Sequence, residues 1–340
     1  MVDLLLVGGL SLLAFVPMLL SGSTDLLFVG VGAQAVLAMV INMPHFMASY
    51  RLVYRSREMM LKHKWASMYI PAILVVYVVA AVWEAQYSTF MVTILVTVSG
   101  AYLAWHYTGQ VWGMMASFVF LEGTSFDRTE RLLVRTSLRI LLAWHVAWFL
   151  YTHLRDPSMI EPAYLLVSAG TLVAFVLGAI GLVRLSRRTG KRPPPRALVA
   201  WLAIFAWYAL VARDARAIFW VQIAHALQYL SFPVRVEMNR TIASESGGRT
   251  HLVRHMAAYS AVILVVSYLA GEFFPARAMD AVGAIFGADA SQVTPVLMLQ
   301  LINIHHYFTD GVIWKISNPE VRKELFAHVS PPAGEQRRNR

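Results

Sequence analysis

Apolar residues in this chain come in long blocks, not in alternation. The blocks fall near residues 4–20, 26–43, 67–84, 90–112, 138–152, 162–183, 197–212, 217–234, 256–271 and 293–314, with short polar connections between them. Roughly 20 consecutive apolar residues are enough to cross a bilayer as a helix. Backbone groups in lipid must be paired within the segment, and barrel strands would alternate apolar with polar. The pattern therefore predicts an all-α fold, a polytopic integral membrane helix bundle of about ten transmembrane helices. It leaves no room for a separate soluble domain, so residues 1–340 read as a single transmembrane domain.

Composition points the same way: 58% of the 340 residues are hydrophobic and 14% charged, where soluble domains carry about 25% charged residues. The first block lacks the basic flank and small-residue cleavage site of a secretory leader and reads as a retained span. The net charge of +10 sits in connections between apolar blocks, which topology and anionic lipid explain; nucleic acid is not an expected partner. Bases collect after the second block (Arg51, Arg55, Arg57, Lys62, Lys64), the fourth (Arg128, Arg131, Arg135), the sixth (Arg184, Arg187, Arg188, Lys191, Arg192, Arg196), the eighth (Arg235, Arg240, Arg249, Arg254) and the tenth (Lys315, Arg322, Lys323). The intervening connections are poorer in base. By the positive-inside rule this places both the N- and the C-terminus in the cytoplasm.

Two connections have local character. Gly190-Lys191-Arg192-Pro193-Pro194-Pro195-Arg196 is stiff, because proline runs favour extended backbone, and residues 184–196 are a possible seam between six spans and four. The stretch Pro275 to Gln292 has the makings of a short interfacial helix, anchored by Phe273, Phe274 and Phe286.

Ionisable groups inside a membrane are costly and face the bundle interior, where they mark function. The blocks hold His106 and Gln110 in the fourth, His145 in the fifth, Gln222, His225 and Gln228 in the eighth, and Asn303, His305, His306 and Asp310 in the tenth; His45 lies at the inner end of the second. His106 and Gln110 are four apart, as are His306 and Asp310, and Gln222, His225 and Gln228 run in threes, so each set lines one helix face. At about 1.5 Å per residue, the histidines of five helices reach similar depth in the inner half of the bilayer. A metal site in a helix bundle is built this way.

With no cysteine in the chain, ligands must offer nitrogen or oxygen. Neutral imidazole is the commonest ligand for iron, copper and zinc, and an added carboxylate suits non-haem iron. The candidate metal ligands are His45, His106, His145, His225, His305, His306 and Asp310. Gln110, Gln228, Asn303, Tyr107 and Tyr307 could orient them from a second shell. His305 and His306 point about 100° apart on a helix, so both need not bind, and Asp310 could instead pair with Arg51 or Lys315. A single buried histidine is more often a satisfied interior residue than a ligand; the convergence of five helices is what favours metal. His251 and His255 have ligand spacing but sit in a basic loop, and they read with His63 as surface residues. His153 and His328 read as exposed.

His305-His306, His251-x-x-x-His255 and the isolated intramembrane histidines together resemble the membrane-embedded multi-histidine iron oxygenases, namely fatty-acid desaturases and hydroxylases and the Brp/Blh-type carotene-cleaving proteins. The chain departs from the desaturases in having no H-x-x-H-H box, which points to dispersed histidines in the bundle core. The resemblance implies one or two iron ions, dioxygen, an apolar lipid or polyene substrate and an electron-donor protein. A haem held by axial histidines and a proton-coupled transporter using the same histidines as a relay are the alternatives. No Walker loop, H-E-x-x-H or serine elbow is present, which argues against nucleotide use and zincin proteolysis.

Overall fold

A computed structural model describes residues 2–24, 30–154, 156–244 and 249–313. Among the described residues 90% are helical and none is in a strand. Ten long helices follow one another: α1 (Val2–Ser21), α2 (Val31–Tyr54), α3 (Trp65–Glu84), α4 (Phe90–Leu121), α5 (Arg128–His153), α6 (Glu161–Thr189), α7 (Pro195–Arg213), α8 (Ala217–Ser244), α9 (Arg249–Phe286) and α10 (Ala288–Ile313). All but α8 and α10, eight among the described residues, are long and apolar enough to cross a membrane, and this suggests an integral membrane protein. Helices α8 and α10 carry the histidines and glutamines that dilute their apolarity.

The helix ends follow local chemistry. Asp127 accepts a bond from the Glu130 N–H at 2.7 Å while the Glu130 carboxylate accepts from the Asp127 N–H at 2.8 Å, a reciprocal capping box that starts α5. Gly190 (φ 67°) closes α6 in the left-handed conformation that glycine adopts without strain. Pro194 is extended (φ −54°, ψ 128°) and Pro195 opens α7, the position where its missing N–H costs nothing.

Helices α2, α3 and α9 each contain one wide, π-type turn, at Ala38–Asn42, Trp65–Tyr69 and Leu269–Phe273. Each ends two residues before a proline: Pro44, Pro71 and Pro275. A proline inside a helix lacks the N–H for the carbonyl four residues back and clashes with it, and a widened turn relieves that clash. The carbonyls exposed in this way are used. Ser67, four before Pro71, accepts a hydrogen bond from the Tyr54 hydroxyl at 2.7 Å, and Ala66 accepts from His305 Nε2 at 2.9 Å.

The chain divides into two compact units, one drawn from Met1–Val29 and Ala104–Phe232, the other from Gly30–Leu103 and Pro233–Lys315. The boundaries fall inside α4 and α8, and the basic connector 184–196 lies within the first unit. In that unit α5 and α6 pack antiparallel. A side-chain carbon at Gly178 would stand 2.6 Å from Trp201 and 2.8 Å from Ser137, and one at Gly181 2.8 Å from Val134, so glycine is what lets these helices approach. Arg188 donates to the buried Glu130 carboxylate at 2.8 Å from both Nε and a terminal nitrogen, tying α6 to α5. In the second unit, Leu74, Ala81, Leu297 and Ile304 join α3 to α10, and Met43, Phe46, Tyr259, Ile263 and Ile302 join α2, α9 and α10. The segment Phe274–Phe286 is helical and packs on α10.

Candidate metal centre

Helices α4 and α8 bring His106 and His225 together. Their Nε2 atoms lie 3.0 Å apart, so one ring donates a proton to the other's lone pair. The pair is held from outside: Gln110, one turn beyond His106, donates from Nε2 to the His225 carbonyl at 3.2 Å and to Gln228 Oε1 at 3.3 Å. Gln228, one turn beyond His225, donates in turn to the Val7 carbonyl of α1. The Tyr107 ring lies 4.4 Å from that of His225.

Helices α2 and α10 bring His45 and His306 together, with ring centroids 4.7 Å apart and edge to face. His45 sits three residues past the wide turn in α2 and its Nδ1 donates to the Asn42 carbonyl, which leaves Nε2 as the lone-pair nitrogen. His306 Nε2 lies 3.3 Å from Asp310 Oδ2, one turn along the same helix, and Ser49 Oγ donates to Asp310 Oδ1 at 2.9 Å. A carboxylate on one imidazole nitrogen, itself hydrogen-bonded, is the arrangement that fixes a metal-ligating histidine.

His45, His106, His225 and His306 are all buried, and each offers a ring nitrogen, these atoms lying within 4.8 Å of one another. The group could hold a metal ion.

The other candidates take different positions. His145 of α5 is buried, and its Nδ1 is 3.0 Å from the Tyr208 hydroxyl of α7. His305 faces away from the His306 side: its Nε2 meets the Ala66 carbonyl and, at 3.1 Å, the Tyr54 hydroxyl, and its ring lies 4.6 Å from Tyr50. Asn303 contacts Gln300, and the Tyr307 ring lies 5.4 Å from that of Tyr102. Arg51 meets Glu237 at 2.7 Å, and the same carboxylate is 2.9 Å from His255 Nε2. Lys315 and His328 lie outside the described residues. His153 is exposed, its ring stacked on Phe149.

Several partners were not singled out from sequence. Ser49 lies four residues after His45 and so on its face, a spacing that could have flagged it. Glu237 lies among the bases that follow the eighth apolar block, and the structure puts it inside α8. Tyr208 has no local signal, since only the packing of α7 on α5 brings it to His145. No family model, no curated protein and no solved structure matches this chain.

Proposed function

We propose that this protein is a metal-dependent integral membrane oxidoreductase that uses non-haem iron, as one or two ions, and dioxygen to oxidise or cleave an apolar lipid or polyene. The observation that carries the reading is the group of four buried histidines whose ring nitrogens lie within 4.8 Å of one another. Imidazole is a ligand for iron, copper, zinc and nickel alike; iron is preferred here because of the resemblance to the multi-histidine membrane iron oxygenases. When bound, such a metal would supply one-electron redox chemistry and a binding position for dioxygen. A haem iron has room for two axial histidines at most, so a group of four favours non-haem metal over haem.

The chain's own residues do the rest. Asp310 and Ser49 hold His306 in one tautomer, Asn42 does the same for His45, and the glutamine pair braces His225. The apolar helices exclude water from the centre and admit a substrate dissolved in the bilayer sideways. On this reading the protein has ten spans with both termini in the cytoplasm, where a donor protein would deliver electrons. It belongs in style with the multi-histidine membrane oxygenases.

Elemental analysis and visible and EPR spectra of detergent-purified protein test the proposal. A near-stoichiometric transition metal with no Soret band is expected, and Ala at His106, His225 or His306 should lower metal content several-fold. Protein free of transition metal after expression in metal-supplemented medium, and unable to take up ferrous iron, would overturn it. Metal-free protein that drives pH-dependent uptake in vesicles would point to the transporter.

A further inference from the structure

Behind His225 the first unit carries a row of aromatic side chains that the four histidines do not use. The Tyr107 ring, 4.4 Å from His225, lies 6.0 Å from His145. His145 meets Tyr208, whose ring stacks on Trp144 at 5.1 Å. Trp144 in turn lies 6.2 Å from Trp148 and 6.3 Å from Tyr164, and Tyr164 stacks on Tyr151 at 4.8 Å. Tyr107, His145, Tyr208, Trp144 and Trp148 are buried, while Tyr164 and Tyr151 are partly exposed. The row therefore runs from a histidine of the metal group to the edge of the unit without a break.

Packing alone does not account for the pair in its middle. His145 is 1% exposed and its Nε2 has no hydrogen-bond partner among the described residues. If the Tyr208 hydroxyl donates to Nδ1, the neutral ring carries an N–H on Nε2 that is buried without an acceptor. If Nδ1 donates instead, the phenol hydrogen loses its acceptor. Either way the pair leaves a buried polar group unmatched, an arrangement that demands an explanation. Two apolar side chains of the same volume would avoid the cost. A phenol hydrogen-bonded to a neutral imidazole in a dry setting has one chemical property that they lack.

We propose that Tyr208 and His145 form a proton-coupled redox pair, and that Tyr107 connects it to the histidine centre as a path for single electrons. With an oxidised transition metal held by the histidines, Tyr208 would give up one electron to it and its O–H proton to His145 Nδ1, leaving a neutral tyrosyl radical and an imidazolium. Return of one electron from a one-electron reductant at the far end of the row, through Tyr164 and Trp144, and of the proton from Nδ1 restores both. Moving the proton over a 3.0 Å hydrogen bond keeps charge from building up on the phenol in a medium that solvates charge poorly. The function of the pair as a relay rests on the metal reading above; its redox activity does not.

That independence sets the experiment. Full-length purified protein, stripped of metal with chelator, is photo-oxidised by a ruthenium tris-bipyridyl flash-quench system and followed by EPR and transient absorption. A tyrosyl signal with a solvent deuterium effect on its formation is expected. Tyr208→Phe, which preserves the ring, should lose that component, and His145→Gln should slow its formation at least tenfold. Tyr87→Phe, at an exposed position, should leave it intact. Thermal melts of each variant separate misfolding from loss of the pair, and Trp144→Phe supplies a second variant that should slow decay without removing the radical. A deuterium-sensitive signal undiminished in folded Tyr208→Phe, or formed at the wild-type rate in folded His145→Gln, would overturn the proposal. Failure of the metal reading would register instead as absence of bound metal, with the flash-quench result unchanged.

Discussion

Asp310→Asn is the sharpest probe of the metal centre, because it keeps size and shape while removing the charge behind His306. The carboxylate lies 3.3 Å from His306 Nε2 and is oriented by the Ser49 hydroxyl at 2.9 Å. On the proposed reading it polarises the ring and holds the proton on Nε2, so that Nδ1 would be the nitrogen that binds. Loss of such an outer partner costs about 10–100-fold in metal affinity, or about 1.4–2.7 kcal/mol at about 1.4 kcal/mol per tenfold. Ser49→Ala, which removes only the orienting hydrogen bond, should cost less than tenfold. The assay is competition for ferrous or zinc ion against a chromophoric chelator in detergent, with the metal content of the as-purified protein as a second readout. Two results would refute the reasoning. An unchanged affinity in Asp310→Asn would mean that the carboxylate does not act on a ligand, and a loss equal to that of His306→Ala would make Asp310 a ligand itself.

Two further predictions concern the frame that holds these residues. Gly178→Ala should lower stability by about 1–3 kcal/mol, since the added carbon would stand 2.6 Å from Trp201 Nε1 and 2.8 Å from Ser137 Oγ; a thermal melt in detergent reads it, and an unchanged midpoint would mean that α6 shifts freely on α5. Arg188→Ala should lower the melting midpoint, because it strips Glu130 of the guanidinium that bonds its carboxylate. Glu130→Gln in the same background should recover part of the loss.

The helices were legible because lipid leaves no alternative to a helix for a long apolar block, and the connector at 190–196 ends where Pro195 can begin a helix. The block near 138–152 understated α5, which starts at Arg128, because a charged first turn carries no apolar signal although Asp127 and Glu130 cap it. Helical spacing placed Gln110 on the face of His106 and Asp310 on that of His306, since periodicity within a helix needs no tertiary knowledge. It could not say that His145 would meet Tyr208 or that His305 would meet Ala66. Those pairings depend on the rotation of one helix against another, and in the case of Ala66 on a carbonyl exposed only because Pro71 widens the turn before it.

The wide turn in α2 has a consequence for His45. Residues 38–42 accommodate one more residue than an α-turn would, and His45 follows three residues later. Each residue of a helix advances the side-chain direction by about 100°, so contracting that turn to α geometry would swing His45 by about that angle relative to the residues before it. The aim of this imidazole is thus written in the residue count between two fixed parts of a helix. This imidazole could turn away by a single step of winding, with no hinge and no loop.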